Sequence, residues 1–483
     1  MMHPEENEQV EETNMAAWLL GIKNIQIQPY NLPTLGPDDV KVQIKALGIC
    51  GSDVHHFKNL RVANFIVKKP MVIGHECAGI IKDIGSNVKS LAIGDRVALE
   101  PGISCQTCNL CKNGTYNLCK KMKFFGSPPT NGSLANQVVH PANLVFKLPD
   151  NVSLEEGAMC EPLSVGVHAC RRAGVNPDTK VLIFGAGPIG LVTMLAARAF
   201  GAPRVVIADV DCNRLSIAKE LGADGTILVS SNIQDVDEEI LKIHNVMGEG
   251  VDISFDCVGF DKTMSTALTA TRAGGKVCLV GLGQSEMTIP LVAAAAREVD
   301  LIGIFRYRNT WPLCIELLRT GKIDVKPLIT HRYKFTQEDV ERAFETSAKG
   351  GKAIKAISGY VTTIRSRFAF RRRPVTNDQR WVTIKGWQIL AIGNSKTHYD
   401  WSLKGMANEE NPIEMKDEGA NLAPFHPSKK RKKNKVLIHD PVDGYVEQLD
   451  KQTESLSGDQ FRNHTPNLLS LNWLPFNEKL LTS

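Results

Sequence analysis

The alternation of apolar and polar positions changes period twice along the chain. Residues 15–145 carry short apolar runs of β type, such as 40–44, 72–73 and 97–99, punctuated by Gly, Pro and Asn. This predicts a compact β-rich domain with many turns. From about residue 161 the pattern switches. Apolar runs at 181–184, 205–208, 252–257 and 276–280 read as parallel strands buried on both faces, and the stretches 191–200, 215–221 and 263–271 repeat at helical spacing. One more strand at 301–305 and helical segments at 311–320 and 340–346 lead back to the first domain. Beyond 358 little periodicity is sustained. The polar, acidic residues 1–14 predict a disordered arm. The expected division is an arm at 1–14, a β-rich domain at 15–160, an α/β domain at 161–300, a return segment at 301–358 and an atypical tail at 359–483.

The strand at 181–184 runs straight into Gly185-x-Gly187-x-x-Gly190, then a helix, then a second strand ending at Asp209, nineteen residues after the last glycine. Strand, glycine turn, helix, strand and acid in this order form the dinucleotide-binding pattern. Gly185 permits the tight turn, Gly187 lets backbone approach a pyrophosphate, and Gly190 lets the helix pack on the sheet. The helix N-terminus offers free N–H groups to the phosphates. Asp209 can accept hydrogen bonds from a ribose diol and would repel a 2′-phosphate, so NAD is favoured over NADP; Arg214 is a minor counter-signal that fits the adenine side.

Two metal constellations lie in the β-rich region. Cys50-Gly51-Ser52-Asp53-Val54-His55 and Gly74-His75-Glu76-Cys77-Ala78-Gly79 together offer a thiolate, an imidazole and a carboxylate. Cys50, His75 and Glu76 would leave a fourth tetrahedral position open, as a catalytic zinc requires. Ser52 and His55 could then carry a released proton to solvent. Cys105-x2-Cys108-x2-Cys111-x7-Cys119 has the spacing of a closed, structural zinc site. Glu161, in Glu161-Pro162-Leu163-Ser164, is a second carboxylate that could reach the first metal, so the third ligand is Glu76 or Glu161. Arg306 and Tyr307 are unusual directly after an apolar strand and could touch substrate hydroxyls or cofactor phosphate.

Charge sharpens this picture. The 483 residues hold 57 basic and 52 acidic side chains, and the segment from Gly359 onward carries 19 and 14 of them. Residues 1–358 therefore balance to zero and lack the basic excess of a nucleic-acid binder. All 12 cysteines precede residue 359. The acidic start and short apolar run at 15–22 do not match a secretory leader, and no run is long enough to span a membrane. A reducing, cytoplasmic setting is expected, in which clustered cysteines bind metal rather than pair.

On G-H-E-C-A-G, the four-cysteine loop, E-P-L-S-V-G-V-H-A-C, G-A-G-P-I-G and I-F-R-Y, the chain resembles the zinc-dependent medium-chain alcohol and polyol dehydrogenases over about residues 15–357. Within them it is most similar to the plant sorbitol and L-idonate dehydrogenase group. The resemblance implies an α/β fold class: a GroES-like catalytic domain plus a doubly wound Rossmann NAD-binding domain. It implies one catalytic and one structural zinc, NAD contacts at Ile189, Asp209, Arg214, Val280, Gly281, Leu282, Ile304, Phe305 and Arg306, and a substrate face made by Arg306, Tyr307, Glu161 and the residue at 56. It also implies a cytosolic homo-tetramer or dimer that oxidises a secondary alcohol of a polyol or aldonate. His56 replaces the tyrosine usual in sorbitol enzymes, and Gly126 also departs from them; both features look like the L-idonate branch. A cationic imidazole at 56 would suit an acid sugar. Sorbitol is the alternative substrate, and a non-catalytic NAD- and zinc-binding regulator is the alternative of a different class.

The tail carries Arg371-Arg372-Arg373, a basic run at 429–433 and four of the six tryptophans. A mis-spliced or mis-predicted gene end is the leading expectation. A disordered appendage and a nuclear-localising or nucleic-acid-binding module follow it.

Overall fold

The computed structural model describes residues 13–248, 250–359, 380–384, 387–394 and 398–404. The β-rich domain is built on a seven-stranded sheet. Its path runs Val145–Lys147, Arg96–Leu99, Glu76–Ile84, Asp39–Gly48, Lys355–Gly359 and Ile329–Lys334, with Gln137–Pro141 also paired to Asp39–Gly48. Asp39–Gly48 buries every second residue, Val40, Val42, Ile44 and Ala46, as its alternating sequence requires. The chain end of this unit returns to close the sheet: Ile357 pairs with Gly48. Asn14 is not part of a loose arm. Its amide donates to the Tyr30 and Gln137 carbonyls and its Oδ1 accepts from Gln137 N, so the ordered chain begins before Met15.

The nucleotide-type domain has six parallel strands in the order Gly225–Leu228, Arg204–Asp209, Lys180–Phe184, Val251–Asp256, Thr271–Leu279, Asp300–Gly303. The order reverses between Lys180–Phe184 and Val251–Asp256, which is where an open α/β sheet binds its ligand. Leu182, Ile183 and Phe184 are buried, with helices such as Pro188–Ala199 and Asp261–Ala270 over the faces. Asp300–Gly303 is hydrogen-bonded to Thr271–Leu279, so the sheet runs past residue 300. The helix Cys160–Ala173 starts one residue before the expected boundary because Pro162 falls in its first turn, where a missing N–H costs nothing.

In the tail, where little periodicity is sustained, Arg380–Ile384, Trp387–Asn394 and His398–Lys404 form a three-stranded antiparallel sheet. The cause is local: Trp381, Val382, Thr383, Ile384, Trp387, Ile389 and Ile392 are β-favouring types. The basic runs at 371–373 and 429–433 lie outside the described residues. No described helix is long and apolar enough to cross a membrane.

Candidate active site and metal centres

Cys50 caps the N-terminus of the helix Gly51–Asn59, and Glu76 begins the strand Glu76–Ile84. The ligand atoms of Cys50, His75 and Glu76 all lie within 4.8 Å of one another. What joins the two sequence motifs is Asp53, a residue that sequence reasoning passed over. Asp53 is 1% exposed. Its Oδ2 accepts from Cys50 N at 3.0 Å, its Oδ1 accepts from Gly74 N at 3.1 Å, and Oδ1 lies 3.4 Å from His75 Nδ1. Burial would raise its pKa, but His75 and the Cys50 N–H outweigh burial and hold the carboxyl below its usual range. A carboxylate on the far nitrogen of a ligand imidazole fixes that ring's tautomer and direction.

Glu76 is fully buried, and both its oxygens accept from Lys355 Nζ at 2.7 Å. Gly48 lies opposite Glu76 in the sheet, and a Cβ there would collide with the Glu76 carboxylate. Lys355 also donates to Ile49 O at 3.2 Å. Burial works against its charge, but Glu76, with Cys50 and Glu161, outweighs burial and holds its pKa above the usual lysine value.

Glu161 stands outside the ligand group of Cys50, His75 and Glu76. In the first turn of its helix its Oε1 accepts the Tyr307 hydroxyl at 2.8 Å. Burial raises its pKa, with His75 opposing. Of the two candidates for third ligand, Glu76 has the geometry. Arg306 adopts φ +52°, and its guanidinium sits 3.7 Å from the Phe124 ring centroid and 3.3 Å from Ser127 Oγ. Phe124 also packs on His75, with ring centroids 5.6 Å apart. Gly126 has φ +65°, and a Cβ would come 3.0 Å from Gly74 N, so only glycine lies there without strain.

His56 corrects an expectation. It lies on the buried face of its helix, 3% exposed, with no hydrogen-bond partner for either ring nitrogen among the described residues. Burial, then the neighbouring His75 and His55, outweigh Asp53 and lower its pKa. Burial thus works against the cationic imidazole that the sequence suggests at this position. Ser52 is half-buried and His55 exposed, three positions apart on neighbouring helix sites.

Cys105, Cys108, Cys111 and Cys119 also converge, with Sγ–Sγ separations of 3.9 Å (105–111), 3.5 Å (108–111) and 3.9 Å (108–119). A tetrahedron of sulfurs at 2.3 Å from zinc has edges of about 3.8 Å. The lobe therefore fits a closed zinc, and no described cysteine is in a disulfide.

At the glycine turn, Gly185 has φ +94°, and a Cβ on Gly190 would collide with the Gly185 carbonyl. A Cβ on Gly187 would meet nothing nearer than Arg214 Nη1 at 3.9 Å. Open space at the N-terminus of Pro188–Ala199 is the cradle a pyrophosphate needs. Asp209 Oδ2 accepts from Ala186 N at 2.6 Å and Oδ1 from Asp211 N at 2.8 Å. It thus pins the turn. Ile189 and Arg214 are half-buried beside it, and Arg214 Nε donates to Gly351 O at 3.5 Å. Val280 and Gly281 N–H groups are tied to Asp256 O, while Leu282 is exposed. Ile304 is buried and Phe305 half-buried at the end of the last strand.

Residues 36–150 match the alcohol dehydrogenase GroES-like domain, and residues 188–320 match the zinc-binding dehydrogenase family. The chain is 78% identical over 346 residues to an L-idonate 5-dehydrogenase of Vitis vinifera, covering 72% of this chain and 94% of that one. It is 68% identical over 352 residues to a sorbitol dehydrogenase of Arabidopsis thaliana, covering 73% and 97%. Among solved structures, an Escherichia coli L-idonate 5-dehydrogenase superposes with a TM-score of 0.65 at 30% identity, covering 72% of this chain and 98% of that one. With the ligand constellation, the four-sulfur lobe and the glycine turn all in place, the chain belongs to the zinc-binding dehydrogenases that carry an alcohol dehydrogenase GroES-like domain.

Proposed function

We propose that the protein oxidises a secondary hydroxyl of a polyol or aldonate with NAD, with L-idonate as the leading substrate and sorbitol second. The observation that carries this is the convergence of Cys50, His75 and Glu76 within 4.8 Å, beside Glu161, which binds Tyr307. When bound, zinc lets an alcohol lose its proton near neutral pH, and NAD accepts the hydride. Cys50, His75 and Glu76 hold the metal, and Asp53 fixes His75. Ser52 Oγ accepts the substrate's hydroxyl proton as it gives up its own toward His55, which releases a proton to solvent. Gly185, Gly187 and Gly190 shape the pyrophosphate cradle, and Asp209 accepts the ribose hydroxyls. Glu161 and Tyr307 orient substrate hydroxyls.

Arg306 supplies the positive charge that an aldonate carboxylate needs, stacked on Phe124 with little freedom to lose. His56 adds a hydrogen-bonding edge in a buried position. The Arg306 charge supports L-idonate over sorbitol, as does the higher identity to the Vitis vinifera enzyme. The test is NADH formation from L-idonate, sorbitol, xylitol and ethanol: L-idonate should give the highest kcat/KM, and ethanol turnover exceeding every polyol would overturn the reading. His56→Tyr should shift the L-idonate to sorbitol ratio about tenfold toward sorbitol, the size of one hydrogen bond. An unchanged ratio would remove His56 from specificity. Ser52→Ala should lower kcat about 100-fold with little change in KM, as loss of a proton carrier does. A kcat within twofold of the native value would place the relay elsewhere.

We infer a cytosolic homo-oligomer. The exposed Leu301 on the Asp300–Gly303 edge strand, with Leu291 and Val292 exposed on the helix Leu291–Ala295, supports association.

A further inference from the structure

The four-cysteine lobe is bonded to the loop that carries Arg306 and Tyr307. Asn117 Nδ2 donates to Phe305 O at 2.8 Å, Asn309 N donates to the Tyr116 hydroxyl at 2.7 Å, and Arg308 Nη1 donates to Gly114 O at 3.4 Å. Tyr116 is itself held, its hydroxyl donating to Glu100 Oε1 at 2.7 Å. Asn117 is 6% exposed. The loop needs such support. Arg306 and Asn309 adopt φ +52° and +51°, a region that side-chain-bearing residues occupy only when their surroundings hold them there. Residues 114–117 lie between Cys111 and Cys119, so the path of the three supporting groups is set by where those thiolates converge.

We propose that the four-cysteine lobe positions the substrate loop, with Asn117 as the positioning residue that transmits the lobe's shape to Phe305, Arg306 and Tyr307. This rests on the reading of Arg306 and Tyr307 as substrate-facing. The side chains of Arg306 and Tyr307 are fixed on the catalytic side, Arg306 by Phe124 and Ser127 and Tyr307 by Glu161. The loop backbone is held by the lobe at Phe305 O and Asn309 N, and by Arg171 at Asn309 O. A closed metal site in the lobe would then act on substrate affinity without touching the substrate.

The test uses the full chain with Asn117→Asp, which keeps the shape but removes the donor, with Asn117→Ala as a second variant should the first fail to fold. Asn117→Gln, which retains a donor, serves as the rescue. The expected result for Asp and Ala is a KM for L-idonate raised about 3- to 10-fold, the loss of one hydrogen bond, with kcat within about threefold. NADH affinity and zinc content should stay at native values, and amide hydrogen exchange across 304–310 should quicken. Gln should recover part of the protection. Unchanged KM and unchanged exchange in a folded, zinc-replete variant would overturn the proposal. So would a joint fall of kcat, NADH affinity and melting temperature, which marks general damage, or a KM rise seen only when the oligomeric state changes. If the native enzyme oxidises no polyol or aldonate, the functional reading fails, and the exchange measurement alone still decides whether Asn117 holds the loop.

Discussion

Asp53→Ala is expected to lower turnover about 10–100-fold and to weaken binding of one of the two zinc ions. Asp53 ties the Cys50 motif to the His75 motif, through Cys50 N, Gly74 N and the His75 imidazole. Removing it leaves two backbone N–H groups without their acceptor, at about 1–3 kcal/mol for each buried group. It also frees the His75 ring to rotate, and loss of such an orienting carboxylate typically costs 10–100-fold in metal affinity or activity. The combined stability loss should be about 3–5 kcal/mol. Asp53→Asn keeps one acceptor oxygen and should fall between. Zinc content by elemental analysis and denaturant midpoints check this; a variant that keeps two zinc ions and a kcat within twofold of native would refute the role.

Lys355→Met should destabilise the chelator-treated protein by about 3–5 kcal/mol, because it strands the Glu76 carboxylate in a site with no exposure. The loss should be smaller in zinc-replete protein, where the metal offsets the same charge. Glu76→Gln strands Lys355 in the same way and should also lower zinc affinity. The double variant Glu76→Gln/Lys355→Met carries neither buried charge, so its stability should exceed that of Lys355→Met while its zinc is still lost. This non-additivity is the signature of a direct pair. Strictly additive effects in urea unfolding would mean that the two groups are not coupled.

The parts of the site that could be read from sequence are those whose partners are close in the chain. The glycine turn, the four cysteines and the Cys50 and His75 motifs each lie within one local segment. The missed or misjudged parts depend on contacts between distant segments. Lys355 reaches Glu76 across 279 positions, Tyr307 reaches Glu161 across 146, and Asn117 reaches Phe305 across 188. No periodicity reports such pairs. Asp53 was inside a quoted motif, and its position at the third residue of a helix was the available signal, since an acid there returns to the capping N–H. The burial of His56 is not legible for a different reason: the helix Gly51–Asn59 turns Asp53, Val54, His56 and Phe57 inward together. In the fold, the strand order of the nucleotide domain follows from its βα alternation. The tail's three strands follow from local β-favouring residues that a search for long-range periodicity does not weigh.

The most direct test of the catalytic centre is zinc stoichiometry together with NADH formation from L-idonate, in the native chain and in Cys50→Ser. The native chain should hold two zinc ions and lose activity on chelation, while Cys50→Ser should keep the lobe zinc, hold one ion, bind NADH normally and form no NADH. Two retained zinc ions with undiminished turnover in Cys50→Ser would contradict the assignment of Cys50, His75 and Glu76 as the catalytic metal site.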